Sequence, residues 1–231
     1  MTANEYIYIN YGLPLLGFVI TLIAQMYMTS NYNKYKCQDA KSKKTGAETA
    51  REILDTNGLR DIKIKEVKGN LTDHYDPKKK VVSLSSDIYH GTTIASVSVA
   101  AHECGHAIQD KENYTFLRVR NSIVPLVNFS SKIGYIVIII GLMFGAPKVA
   151  IIGLIMLLAM LLFQLITLPV EFNASKRAKK QLVDLRIITD YELDDSKTML
   201  NAAALTYVAG LLTTLLQILR LALIVMRRSD D

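Results

Sequence analysis

Tryptophan is absent from this chain, and cysteine, histidine and proline are scarce, with 2 Cys, 4 His and 5 Pro in 231 residues. The two cysteines, Cys37 and Cys104, give no disulfide framework. They also exclude a zinc site closed by four cysteines. Residues 1 to 12 hold no Lys or Arg, and no small-residue A-x-A-like site follows them. That argues against a cleaved signal peptide and for an uncleaved anchor. No internal repeat or low-complexity tract is visible. Basic and aromatic residues do not interleave as in nucleic-acid-binding segments, so no nucleic-acid partner is expected.

What the chain has is apolar residues, which make up 50% of it, with a mean hydropathy of +0.22. They are concentrated in blocks. Leu13 to Met28 is an uncharged run that Tyr11 and Gly12 extend to membrane-spanning length. Ile123 to Phe144 is a second block, diluted by Asn128, Ser130, Ser131 and Lys132. Val149 to Val170 carries no charge, and Ala203 to Met226 is interrupted by Arg220. The expectation is an N-terminal anchor over 1–29, a transmembrane hairpin over 123–170, and a fourth transmembrane or membrane-associated helix over 203–226.

Charge sets the orientation. Lys34, Lys36, Lys41, Lys43 and Lys44 follow the first block, and Lys111, Arg118 and Arg120 precede the second. Lys176, Arg177, Lys179 and Lys180 follow the third. The N-terminus should therefore lie outside and the polar segments, 30–122 and 171–202, in the cytoplasm. Arg227 and Arg228 in the 227–231 tail disagree, because a fourth crossing places them outside. The net charge of +6 and pI of about 9.2 sit beside the membrane blocks, where anionic lipid headgroups account for them.

Within the polar region, Thr45-Gly46-Ala47-Glu48 opens an amphipathic helix through Ala50, Ile53 and Leu54 that stops at Asn57-Gly58. Ile62 to Val67 alternates as a strand, and Val81 to Ser85 reads as a second. A helix from about Thr92 to Asp110 carries the most informative residues, His102-Glu103-Cys104-Gly105-His106.

These five spell H-E-x-x-H. Positions i and i+4 share a helix face, so both imidazoles can reach one metal, with Glu103 beside it as a general base. With 4 His and 8 Glu in the chain, chance yields the pattern in roughly 0.002 of sequences of this composition, and a mechanism stands behind it. Cys104 lies on another face and reads as a small packing residue. Catalytic zinc takes three protein ligands and keeps one position open. A third histidine would have to be His74 or His90. The preferred third ligand is Glu171, in Pro169-Val170-Glu171-Phe172-Asn173-Ala174-Ser175, read as a helix starting where the third block ends. A hairpin returns to the side it left, so His102, His106 and Glu171 should share one membrane face. The plainer reading of Glu171 is a headgroup-level charge at a helix start.

At these residues the chain resembles the YugP-type neutral zinc metallopeptidases of bacterial membranes. The resemblance runs from about Gly46 to Ala178. Its carriers are Leu71 to Pro77, Ala100 to Gln109 and Val170 to Ser175. The architecture is also similar to HtpX-type membrane proteases, in which a membrane hairpin separates the H-E-x-x-H helix from the glutamate helix. The resemblance implies a membrane α-helical protein with a small α+β, zincin-like (gluzincin-type) catalytic region. It implies one catalytic zinc ion held by His102, His106 and Glu171, with Glu103 as base. Where the HtpX pattern commonly has Asp four residues after the glutamate, Ser175 stands, a weaker acceptor for a histidine N–H.

The expected chemistry is peptide-bond hydrolysis by zinc-activated water. A second electrophile for the oxyanion is sought among His74, Tyr75, His90, Tyr191 and Arg177, and His74 is favoured because Asp73-His74-Tyr75-Asp76 is a dense polar cluster. The same cluster also reads as a plain turn. The strand Val81 to Ser85 is expected to accept an extended substrate along its edge. The expected partners are the lipid bilayer and a polypeptide, unfolded or membrane-embedded, in membrane-protein quality control at a bacterial plasma membrane. The alternative is a membrane scaffold or regulatory protein with a structural zinc site and no proteolysis. A metal transporter is disfavoured because the ionisable residues within the blocks, Lys132 and Arg220, are both cationic.

Overall fold

The computed structural model describes residues 2–229. The elements are α1 (Ala3–Ile7), a π-helical turn (Tyr8–Gly12), α2 (Leu13–Tyr35), α3 (Gly46–Thr56), β1 (Lys63–Val67), β2 (His74–Asp76), β3 (Val81–Ser85), α4 (Ser86–His90), α5 (Ile94–Lys111), α6 (Thr115–Met143), α7 (Pro147–Asp184) and α8 (Asp190–Ser229). The protein is mostly helical, with one small mixed sheet. Among the described residues, four helices are long and apolar enough to cross a membrane, at Asn4–Tyr35, Thr115–Met143, Pro147–Asp184 and Asp190–Arg227. Each of the apolar blocks lies in one of them, except that the second runs one residue, Phe144, past its helix. Helix is the form an apolar block takes in lipid, because it satisfies every backbone group within the segment.

The chain divides into two compact units, one of residues 1–25, 119–168 and 206–231, the other of residues 26–118 and 169–205. In the first, α6 and α7 pack through small residues. A Cβ built on Gly153 would lie 2.6 Å from the Gly134 carbonyl, and one on Gly141 2.4 Å from the Ala150 nitrogen. Such close approach lets dispersion replace the hydrophobic effect, which is missing between helices in lipid. On α2 and α8, Thr21 and Thr213 share a hydroxyl–hydroxyl bond of 3.0 Å, and Thr213 Oγ1 also donates to the Gly17 carbonyl at 3.1 Å.

The second unit has its own core. It gathers Ala50, Ile53 and Leu54 of α3, Val82 and Leu84 of β3, the small residues of α5, and Ala178 and Leu182 of α7. Tyr32 and Tyr35 at the end of α2 and Met199 and Leu200 of α8 complete it. Helix α3 starts as its sequence signals, with Thr45 and Glu48 forming a reciprocal capping box. Gly46 is required there, since a Cβ would come within 2.2 Å of the Ile88 carbonyl. The sheet order is β1-β3-β2, with β1 parallel and β2 antiparallel to β3.

Two sequence expectations fail here. Strand β3 is central, not an edge, and all five of its residues are buried. A run as apolar as Val81-Val82-Ser83-Leu84 is what a strand covered on both faces carries, and both of its hydrogen-bonding edges are occupied. It therefore cannot add a substrate strand. The second failure concerns Pro169, which does not begin a helix but lies inside α7. Proline removes one N–H, yet ending the helix in an apolar environment would strand more backbone groups than that. Pro125 sits inside α6 in the same way.

Candidate metal centre

Helix α5 is buried along most of its length, and its sequence explains why it can be. Ala100, Ala101, Cys104 and Ala107 are small and fully buried, so neighbouring helices come close. The closest approach is at Gly105, where a Cβ would lie 2.6 Å from the Ala174 carbonyl of α7. The two helices therefore meet backbone against backbone at the centre of His102 to His106. On α7, Glu171 precedes Ala174 by three residues and Ser175 by four, so helical spacing puts it beside each of them.

That contact brings three donors together. The ligand atoms of His102, His106 and Glu171 all lie within 4.8 Å of one another. His102 Nε2 is 3.3 Å and His106 Nε2 3.6 Å from the same oxygen, Glu171 Oε2. Two donors each about 2.1 Å from a tetrahedral ion stand roughly 3.4 Å apart, so the spacing suits zinc. Two imidazoles and one carboxylate are also a donor set of catalytic zinc. Glu171 is 3% exposed, a depth at which a carboxylate needs cationic company. Glu103 is buried on the same helix as the two histidines.

The far nitrogens are held as well. His102 Nδ1 is 3.1 Å from Ser175 Oγ, and His106 Nδ1 is 3.0 Å from Gln109 Oε1. Gln109 Nε2 in turn donates to the Val170 carbonyl at 2.8 Å and to Asn173 Oδ1 at 3.0 Å. Arg177 donates to Asn173 Oδ1 at 2.7 Å and pairs with Glu112 at 2.7 Å. Cys104 takes no part, its thiol facing the Ala50 carbonyl and burial pushing its pKa up. Sequence reasoning gave Gly105, Gln109 and Asn173 no role. The i to i+3 spacing of His106 and Gln109 was the available signal.

The other sequence candidates are not among the three clustered donors. His74 is exposed on β2, with Nδ1 2.8 Å from the Thr72 carbonyl. Tyr75 donates its hydroxyl to Asp110 at 2.9 Å, and burial, then that carboxylate, raise its pKa. Asp73 accepts from the Ser85 backbone, and Asp76 accepts from the N–H groups of Lys78 and Lys79, which is turn chemistry. His90 lies 3.3 Å from Glu66, and Tyr191 is 88% exposed. Arg177 is committed to Asn173 and Glu112.

Comparison with known proteins identifies the family of the chain. Residues 11–226 match the family described as "Putative neutral zinc metallopeptidase". The chain is 44% identical over 219 residues to "Putative membrane protease YugP" of Bacillus subtilis (strain 168), covering 95% of this chain and 97% of the relative. No solved structure matches. With the family matched over nearly its whole length and a relative of this identity beside it, the chain belongs to the neutral zinc metallopeptidase family described in those words.

Proposed function

We propose that the protein is a membrane-bound zinc metalloendopeptidase, working at the cytoplasmic face of a bacterial plasma membrane on unfolded or membrane-embedded polypeptides. The observation that carries this reading is the convergence of His102, His106 and Glu171, with Glu103 on the same helix. One zinc ion held by those three would supply Lewis acidity to a scissile carbonyl and to a water. Glu103 takes the proton of the attacking water and returns it to the leaving amine, a reading supported by its burial and its position next to His102. The location at the membrane is supported by Val170, the last residue of an apolar block and the immediate neighbour of Glu171. A site there suits membrane-protein quality control.

His74 is proposed as the second electrophile. Its Nδ1 faces a carbonyl, which can only accept, so Nδ1 carries a hydrogen. Nε2 can then donate to an oxyanion only in the imidazolium form. Replacing His74 with Ala should lower kcat by about 10²-fold or more, the scale of a lost oxyanion donor. An unchanged kcat removes it from the mechanism.

The first test compares the wild type with Glu103→Gln in detergent, measuring bound zinc and cleavage of unfolded casein. Zinc in both, with cleavage by the wild type alone, supports the peptidase with Glu103 as base. Zinc in both and cleavage by neither favours a structural site on a membrane scaffold. Glu171→Ala should lose zinc, and full retention refutes it as a ligand.

A further inference from the structure

We infer that Gln109 is a positioning residue that fixes which nitrogen of His106 faces the metal, and that it does so by relaying a constraint from the backbone of α7. The inference rests on the reading of His102, His106 and Glu171 as the zinc ligands.

The argument follows donors and acceptors that cannot exchange roles. A carbonyl oxygen only accepts, and a guanidinium only donates. The atom of Gln109 that faces the Val170 carbonyl must therefore be the amide nitrogen. Independently, Arg177 Nε donates to Asn173, so the Asn173 atom at that contact is Oδ1. The same Oδ1 accepts from Gln109, which again makes the facing Gln109 atom a nitrogen. Both N–H groups of Gln109 are thus committed, and Oε1 is the atom left for His106. An amide oxygen only accepts, so His106 Nδ1 carries the hydrogen. Nε2, the nitrogen 3.6 Å from Glu171, then offers its lone pair. Gln109 is fully buried, so water does not compete for these bonds.

His102 is held differently. Its Nδ1 partner is the Ser175 hydroxyl, which can donate or accept, and so does not set the tautomer. The centre therefore has one ligand preset by the fold and one that adjusts. Gln109 also contacts the carbonyl directly before Glu171, so one side chain orients His106 and anchors the turn that bears the third ligand.

Two roles must be separated, that of acceptor toward His106 and that of clamp between α5 and α7. Gln109→Met loses both. Gln109→Glu keeps an acceptor for Nδ1 but loses both donors. Asn173→Ala weakens the clamp and leaves the acceptor. Zinc affinity is measured by competition with a chromogenic chelator, and thermal unfolding of each metal-free protein is followed in parallel. Gln109→Met should bind zinc about 10- to 100-fold more weakly, the usual effect of losing a ligand's hydrogen-bond partner. Gln109→Glu should bind at least as tightly as the wild type while unfolding at a lower temperature. Asn173→Ala should unfold earlier and stay within about threefold of wild-type affinity, because the acceptor remains. Wild-type affinity in Gln109→Met, or a loss in Gln109→Glu equal to that in Gln109→Met, overturns the inference. If Gln109→Met does not fold, Gln109→Glu decides alone, and a tenfold loss there overturns it. A wild type that holds no zinc refutes the metal centre itself, which is a separate failure.

Discussion

Gly105 sets how near α5 and α7 come. Its missing side chain lets α5 lie against the Ala174 carbonyl, and a Cβ would stand 2.6 Å away from that oxygen. Gly105→Ala must push the helices apart, because backbone cannot rotate aside as a side chain does. The expected loss is about 1–3 kcal/mol, the range for overpacking. Thermal unfolding in detergent reads it, and an unchanged transition would show that the contact is looser than it is here. His106 yields a second expectation. Burial presses it toward the neutral form, but the Glu171 carboxylate and the charge of Glu103 outweigh burial and raise its pKa above the ordinary 6.5. Zinc needs the neutral imidazole, so proton and metal compete. A raised pKa in the metal-free protein means the proton is held below that raised value and lost above it. Zinc affinity should therefore fall as pH is lowered through it, by about tenfold per unit for each proton displaced. Affinities measured at successive pH values test this, and a flat profile contradicts it.

At the scale of elements, α5 and α3 were legible because local signals agree with the tertiary outcome. Thr45 with Glu48, Asn57-Gly58 and the spacing of Ala50, Ile53 and Leu54 mark α3 without help from the rest of the chain. Strand β2 was not legible. Three residues of polar sequence, His74 to Asp76, pair with β3 only because β3 is already held on its other edge by β1. The start of α8 is fixed by Glu192, which accepts from the Thr189 backbone at 2.7 Å and reaches the Lys41 N–H at 2.7 Å. This residue precedes the apolar block 203–226. Burial disfavours its charge, yet those hydrogen bonds prevail and hold its pKa below the ordinary carboxyl value. A depressed pKa stabilises the fold above the unfolded value and is lost as pH falls through the folded one. Glu192→Gln should therefore lower the melting temperature at neutral pH, with the gap from wild type closing under acid. A gap independent of pH would assign the effect to packing instead.

At the scale of the whole molecule, the charge pattern leaves a disagreement at the end of the fourth block. Arg227 and Arg228 are the charges that a fourth crossing puts outside. The Arg227 side chain pairs with Glu5 of α1 at 3.4 Å. The contact sets the beginning of α1 and the end of α8 at one end of their unit. Orientation can be read with the native cysteines. Cys37 is exposed and Cys104 is buried, so a thiol reagent meets one site. If the polar segments are cytoplasmic, a membrane-impermeant maleimide should spare intact cells and label Cys37 in inverted vesicles. Labelling of intact cells would reverse the proposed topology.

The sequence by itself determined the apolar blocks, the basic flanks and the H-E-x-x-H helix, and it singled out Glu171 as a candidate. Each of these is local or periodic, a matter of composition, helical spacing and a ligand count that chemistry imposes. Only the tertiary structure decided what surrounds them. That Pro169 lies inside a continuous α7, that β3 is central, and that Gln109 stands between His106 and the Val170 carbonyl all depend on residues distant in the chain. A hydrogen bond across 61 residues leaves no periodic trace. It exists because a glycine at 105 lets two helices touch.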